Sequence, residues 1–405
     1  MKILFVPMEL PLPANSGGRI DVWRRLRMLK GAGHELALLS WHNLARDGAV
    51  AQAIWDELGA TCRSHHVAWI RRTPGENIRR MAYLPRWPSH VAARWVTLRR
   101  PEALAWARAF APDVLVLDGL YGVAAVRWLA AELAVPWVYR SHNVEHVYMG
   151  QQQARATGWA SRLGLAANRI GLQRTENRAV RDAACVYDIS PTDAEHWRRQ
   201  GNARVHWLPA VVDDGFEREL QAAARHAPAW DVVYFGNLNT PNNVEAVNWF
   251  VNRVLPLLPQ PDLRVAVAGS RPSAQVLRLA ARDVRITLLV DPPSVAAIAG
   301  AARLLVNPVQ SGSGVNLKSV EMLFSAARLV STRAGVQGLP ADAQACFDVH
   351  DDAATFAQAI TAALAAPSTS APDAQRVAAR APYAPAAAAQ WLGASLRRVV
   401  DGVPR

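Results

Sequence analysis

The sequence predicts an α/β protein built from two doubly wound domains, each a parallel sheet covered by helices. Three observations carry that expectation. The chain has 405 residues, more than one hydrophobic core usually organises. Short, almost wholly apolar runs alternate with longer stretches of helical spacing, and runs of that kind are buried on both faces of a parallel sheet. After about residue 230 the same alternation begins again.

In chain order, "KILFVPM" reads as a first strand, and "GGRIDVWRRLRMLKGAGHE" as a helix with Ile20, Trp23, Leu26 and Leu29 on one face, ending on Gly31 and Gly33. "LALLSW" completes a βαβ unit. "PDVLVLDG" and "VPWVYRSH" are strands separated by the helical "YGVAAVRWLAAELA". A polar helical stretch over about 151–183 leads to the strands "ACVYDIS" and "ARVHWLP". A loose stretch, "DDGFERELQAAARHAPAW", follows. Then come "DVVYFGN", a helix "NNVEAVNWFVNRVLPLL", and the strands "LRVAVAGS", "VRITLLVD", "ARLLVNPV" and "ARLVSTR". The division expected is a first domain over 1–210, a joint over 211–230, a second domain over 231–380 and a C-terminal helix over 381–405 that returns to the first domain.

Composition narrows the class. Apolar residues make up 51% of the chain and charged residues 19%, which excludes wholesale disorder. Cys62, Cys185 and Cys346 are too few and too scattered for a disulfide framework or a local zinc site, and a reducing cytosol fits them. The opening apolar run is too short for a signal peptide, and no run approaches the roughly 20 residues of a membrane span. A cytoplasmic location is expected. Charge is uneven: residues 1–210 hold 28 basic and 17 acidic residues, the remainder 17 and 16. Residues 62–100 alone carry nine arginines against Glu76, interleaved with Trp69, Tyr83, Trp87 and Trp95. Arginine with tryptophan suits an anionic membrane surface; it also suits nucleic acid, and a solvated basic face gives the same pattern. Peripheral contact with the inner face of the plasma membrane through this stretch is the preferred reading, and nucleic acid is not expected.

Ligands of doubly wound sheets sit outside the carboxyl ends of the strands. The loops there are "PANSGGR", "LDGLYG" and "RSHNVEH" in the first half, and "FGNLNTPNN", "AGSRP", "LVDPP" and "SGSGVNLKSVEML" in the second. If the two halves face each other, these loops line one interdomain cleft. The last stretch is the most constrained. Ser311, Gly312, Ser313 and Gly314 precede Val315, Asn316 and a helix, so small residues expose backbone N–H groups where a phosphate fits. Lys318, one of only three lysines in the chain, falls about one turn into that helix and Glu321 about one turn further. A compact ammonium suits a diphosphate. A plain glycine-rich connection with two solvated charges is the alternative. Ser16, Gly17, Gly18 and Arg19 repeat the small-residue build after the first strand, and Gly236 with Asn237 supplies it after the first strand of the second half. None of these matches GxGxxG, so a dinucleotide cofactor is not indicated.

His142, Asn143 and Asp118 end strands in the first half; a structural or solvated role for the histidine is the alternative to a functional one. "HNVEH" lacks the order of a zinc motif, and a continuous helix is not expected directly after the strand, so no metal is assigned. No GxSxG elbow exists.

The chain resembles, over nearly its whole length, the retaining nucleotide-sugar-dependent glycosyltransferases of GT-B fold, in particular family 4, of bacterial polysaccharide and glycolipid assembly. Its carriers are "LPANSGGRI", "RSHNVEH", "VVYFGNLNTPNNVEAVNWFVNRVLPLL", "VAVAGS" and "SGSGVNLKSVEMLFSAARLVSTRAGVQGL". The resemblance implies two Rossmann-like domains and a nucleotide diphosphate sugar as donor, with no further cofactor. The acceptor it implies is a glycan or a polyprenyl-linked glycolipid. It gives Glu321 the nucleotide ribose, Ser313 and Gly314 the diphosphate through their N–H groups, and Lys318 the charge on the leaving nucleotide. Gly17 and Gly18 would approach the donor phosphate or sugar, His142 the transferred sugar, and the loop around Val290 and Asp291 the base. Gly269, in "VAVAGS", belongs to the same implied surface. Two departures stand out: the first glutamate of the family's pair falls at Ser313, and Asn237 and Asn239 stand where the family carries phosphate-binding Arg and Lys. A GT-B-fold epimerase and a non-catalytic protein of this fold are the rival readings.

Overall fold

A computed structural model describes the chain except residues 157, 313, 368–370 and 403–405 and the side chains of residues 155 and 160. Backbone proximity divides it into two compact units. One holds Met1–Ala14, Gly18–Pro209 and Ala388–Arg405; the other holds Asn15–Gly17 and Ala210–Ala387.

The sheet of the first unit has seven parallel strands: β1 (Lys2–Pro7), β2 (Glu35–Asn43), β3 (Ser64–Ile70), β4 (Val114–Asp118), β5 (Trp137–Ser141), β6 (Val186–Asp188) and β7 (Val205–Trp207). Their order is 3-2-1-4-5-6-7. The two central strands, β1 and β4, are buried almost throughout because helices cover both faces. The C-terminal helix Pro385–Val400 adds to this unit: Ser395 is hydrogen-bonded to the Tyr187 hydroxyl at 2.6 Å, and Trp391 meets the Tyr187 ring edge-on. The second unit repeats the plan with β8 (Trp230–Asn237), β9 (Val265–Ser270), β10 (Ile286–Val290), β11 (Ala302–Asn307), β12 (Arg328–Ser331) and β13 (Asp348–Val349), all parallel in the order 10-9-8-11-12-13.

Three stretches differ from expectation. The polar stretch over 151–183 is not one helix but part of three, Glu145–Arg155, Trp159–Arg169 and Leu172–Asp182. Gly158 and Gly171 stand at the starts of the last two, and Gly171 takes a left-handed φ of 72° open to glycine at no cost. A helix does follow β5 closely, because the buried Glu176 carboxylate accepts the N–H groups of Glu145 at 2.7 Å and His146 at 3.1 Å. Those are orphan donors of a helix start, and a negative charge there also suits the dipole. The stretch after residue 213 is ordered into the helix Asp214–Ala223, capped by the Asp213 side chain on the Phe216 N–H at 3.0 Å.

That helix approaches Val295–Gly300 so closely that a Cβ at Gly300 would run into the Leu220 carbonyl oxygen. Gly300→Ala is therefore expected to lose about 1–3 kcal/mol in urea unfolding. Gly59→Ala serves as the control. Gly59 lies in the exposed helix Gln52–Thr61 with open space around it, so that change is expected to gain about 0.5–1 kcal/mol.

Candidate functional site

Both sheets have a topological switch point, where successive crossovers leave in opposite directions and a crevice opens at the strand ends. In the second unit it falls between β8 and β11, and in the first between β1 and β4.

At the β8–β11 switch point lies Lys318. The helix Leu317–Met322 starts later than expected, so Lys318 is its second residue rather than one turn in. Its side chain does not lie over the surface; it is buried, 7% exposed. The ammonium reaches the amide oxygens of Asn243 at 3.2 Å and Asn307 at 3.5 Å, and sits 4.0 Å from the centre of the Tyr234 ring. These partners are themselves fixed. The Tyr234 hydroxyl donates to Asn243 Oδ1 at 2.9 Å, Asn243 donates to the Asn237 carbonyl at 2.8 Å, and Asn307 donates to Ser319 Oγ at 2.8 Å. Burial pulls the lysine down to about pH 7, with Glu321 partly offsetting it. The arrangement is a preorganised cation held by dipoles and an aromatic face, a setting that favours an incoming anion.

The other predicted residues of this unit fall around it unevenly. Gly236 ends β8 beside the lysine: a Cβ there would stand 3.2 Å from Lys318 Cε. Gly269 pairs with Gly236 in register, and a Cβ on it would strike the Gly236 carbonyl oxygen, so its glycine is required by the backbone. Asn237 organises the turn, its side chain accepting from the Asn239 N–H at 3.1 Å. Ser311 donates to Glu245 at 2.9 Å. Gly314 has a left-handed φ of 63°, and Val315 and Asn316 lead into the helix, which Asn316 starts without a side-chain cap. Gly312 has open space around its Cα. Glu321 is buried on the same helix as Lys318. Val290 ends β10, the outer strand two places from β8, and Asp291 follows it; both are exposed, and Asp291 donates its N–H to the Gly269 carbonyl at 2.9 Å. Ser313 lies outside the described residues.

At the β1–β4 switch point the first unit holds a buried charged cluster. Asp118, fully buried at the end of β4, is bonded to both Arg25 and His142. Arg25 also holds Asp21 one helical turn away. Arg140 stands opposite Asp118 in register, donates to the Leu208 carbonyl at 2.6 Å, and lies 3.6 Å from Asp21. Burial would raise Asp118, but Arg25 and then His142 outweigh it and hold the carboxyl well below its ordinary range. Asp21 is lowered in the same way, burial opposing and Arg25 prevailing. Arg140 is pulled down to about 10 by burial and by Arg25. His142 is thus oriented through its Nε2, with its Nδ1 3.9 Å from Asp21, whereas His146 turns away to Glu176 at 2.6 Å. Asn143 lies in the same loop, its carbonyl accepting from the Ser141 hydroxyl at 3.0 Å. Ser16 precedes the helix Gly17–Gly31, which Gly17 and Gly18 open, and Arg19 is paired to Glu9 at 2.9 Å and Asp47 at 3.1 Å.

Sequence reasoning missed Tyr234, Asn243 and Asn307 around the lysine, and Asp21, Arg25 and Arg140 around Asp118. Two of these left a trace: Arg140 is a charge inside the apolar strand "WVYRS", and Asn307 ends "ARLLVN".

No family model matches the chain. Among known proteins it is similar to a Klebsiella pneumoniae chain described as a 44.6 kDa protein in the cps region, 22% identical over 384 residues that cover 89% of this chain and 90% of that one. Among solved structures it is similar to Anabaena HepE in complex with UDP, with a TM-score of 0.61 at 13% identity, covering 98% of this chain and 100% of that one. Sucrose-phosphate synthase from Thermosynechococcus elongatus gives 0.66 at 16%, covering 99% and 100%. WaaG, a glycosyltransferase involved in lipopolysaccharide biosynthesis, gives 0.56 at 12%, covering 99% and 98%. The fold is that of the GT-B glycosyltransferases, two Rossmann-like parallel sheets with helices.

Proposed function

We propose that the protein is a glycosyltransferase that moves a sugar from a nucleotide diphosphate sugar to an acceptor hydroxyl with retention of configuration, in bacterial polysaccharide or glycolipid assembly. The observation that carries the reading is Lys318, a buried cation among neutral partners at the β8–β11 switch point. UDP in the HepE structure and the cps-region relative lend support.

In this reading the bond between the sugar's anomeric carbon and the β-phosphate oxygen breaks, and the electron pair stays on phosphate. Lys318 neutralises that oxygen as charge builds, in a site too buried for water to screen it. The acceptor oxygen forms the new bond on the same face, and its proton passes to the departing phosphate. No separate base is required. His142, already bonded to Asp118, positions rather than deprotonates, and Glu321 takes the ribose. Peripheral attachment to an anionic membrane would bring the enzyme to a lipid-linked acceptor; among the described residues no helix is long and apolar enough to cross one.

Incubation with UDP-, GDP-, ADP- and TDP-glucose, with and without added polyprenyl-linked glycan, tests the reading. Acceptor-dependent release of nucleoside diphosphate, with the product's anomeric configuration unchanged by NMR, is the expected result. Isomerised donor formed without acceptor would favour an epimerase, and no turnover of any donor would favour a binding protein.

A further inference from the structure

The first unit carries a cavity of about 840 Å³ along the outer edge of β3, from His66 to Arg71 just past the strand's carboxyl end. We propose that it is a headgroup site for an anionic phospholipid, an inference that rests on the peripheral-membrane part of the proposed function and gives it a location. The volume lies within the roughly 300–1,000 Å³ of small-molecule sites. Its lining is cationic. Arg71, Arg79, Arg99 and Arg100 face it, with Trp69, Tyr83 and Trp95 among the aromatic walls. Glu102 pairs with Arg99 at 3.2 Å, and Glu76 accepts the backbone N–H of Arg71 at 3.0 Å. Among the described residues no carboxylate lies within 4 Å of the guanidinium groups of Arg71, Arg79 or Arg100, and Arg100 is stacked 4.9 Å over the Trp95 ring. Arginine forks match phosphate oxygens in pairs. Among the described residues β3 bonds only to β2, so its outer edge presents backbone donors and acceptors suited to headgroup hydroxyls.

What makes the ligand a lipid is the helix Pro74–Tyr83. None of its ten residues is buried. It lends Arg79 and Tyr83 to the cavity, while Ile78 and Met81 stand 68% and 63% exposed, and Leu84 just beyond is also exposed. At 100° per residue, Ile78, Met81 and Leu84 form one apolar arc, and Arg79 with Tyr83 lies across the helix from it. A helix with its apolar face sunk about 5–10 Å into the interface would leave the arginine-lined side at headgroup level.

Co-sedimentation of the full-length protein with vesicles tests this. Phosphatidylglycerol mixed into phosphatidylcholine should bind the protein, and phosphatidylcholine alone should not. Arg79→Gln and Arg100→Gln should each weaken binding by roughly fivefold, the equivalent of about 1 kcal/mol per basic residue near the surface. Soluble glycerol 3-phosphate should compete, and Ile78→Ser with Met81→Ser should also reduce binding to the phosphatidylglycerol-containing vesicles. UDP binding, read by thermal shift, should be unchanged in all of these variants and shows that they are folded. Wild-type vesicle binding by both arginine variants would overturn the headgroup site. Loss of binding in the apolar variant alone would also overturn it, leaving membrane attachment intact. Failure to bind UDP would count against the glycosyltransferase reading and leave the vesicle result standing.

Discussion

Lys318→Met is expected to stabilise the ligand-free protein while weakening nucleoside diphosphate binding by about 10- to 100-fold, the worth of one charge-assisted hydrogen bond to phosphate. Both effects have one cause. The lysine is buried among Asn243, Asn307 and Tyr234 and Glu321 offsets that burial only in part, so the folded protein carries a desolvated charge that an anionic ligand would relieve further. Methionine keeps the length and the apolar contacts and removes the charge. The pH dependence follows from the direction of the shift. The folded value, about 7, lies below the ordinary 10.5. Below pH 7 the ammonium is charged in both states and the penalty is complete, on the order of a few kcal/mol. As pH rises toward 10.5 the folded protein releases the proton before the unfolded chain does, so wild-type stability climbs. Urea unfolding at pH 6.5 and pH 9.5 should show the advantage of Lys318→Met shrinking between them; a wild-type protein more stable than the variant at both would contradict the assignment.

Asp118→Ala is expected to cost about 3–5 kcal/mol, because it strands Arg25 and His142 in the interior without their shared partner. The contrast is Glu35→Ala. Glu35 pairs with Arg63 at the surface, where water screens the pair, so its loss should be far smaller. The Asp118 carboxyl is held below its ordinary range, so its stabilisation is complete above its unfolded value near pH 4 and is lost as pH falls through the lower folded value. The Asp118 contribution to the gap between wild type and Asp118→Ala should therefore shrink only as pH falls below about 4. Equal losses for Asp118→Ala and Glu35→Ala would show that the cluster is not a unit.

Eleven of the thirteen strands among the described residues are legible in the sequence, most of them because strands covered on both faces must be apolar along their length. The two that are not explain themselves. β3 begins "SHH" and is half-buried at a sheet edge, and β13 is two exposed residues. The three-helix region after β5 misleads because its breaks depend on Gly158 and Gly171, and its start on Glu176, a residue 31 positions away from the N–H it accepts. Lys318 is legible as an oddity of usage in a glycine-rich connection. Its cradle is not, because Asn243 and Asn307 come together only through the pairing of β8 with β11, which no local pattern encodes. Asp118 and His142 are likewise visible one by one, while the arginines that make them a cluster come from a helix and a neighbouring strand.

The central claim is that Lys318 is the partner of the donor's diphosphate, and proton uptake on binding tests it most directly. Calorimetric titration of UDP and its GDP, ADP and TDP counterparts at pH 8, in two buffers of different ionisation enthalpy, measures that uptake. A lysine near pH 7 that gains a phosphate should take up most of one proton per nucleotide at pH 8. Lys318→Met should bind the same nucleotide weakly and take up none. Tight binding with no proton uptake in the wild type, or the same uptake in the variant, would contradict the claim.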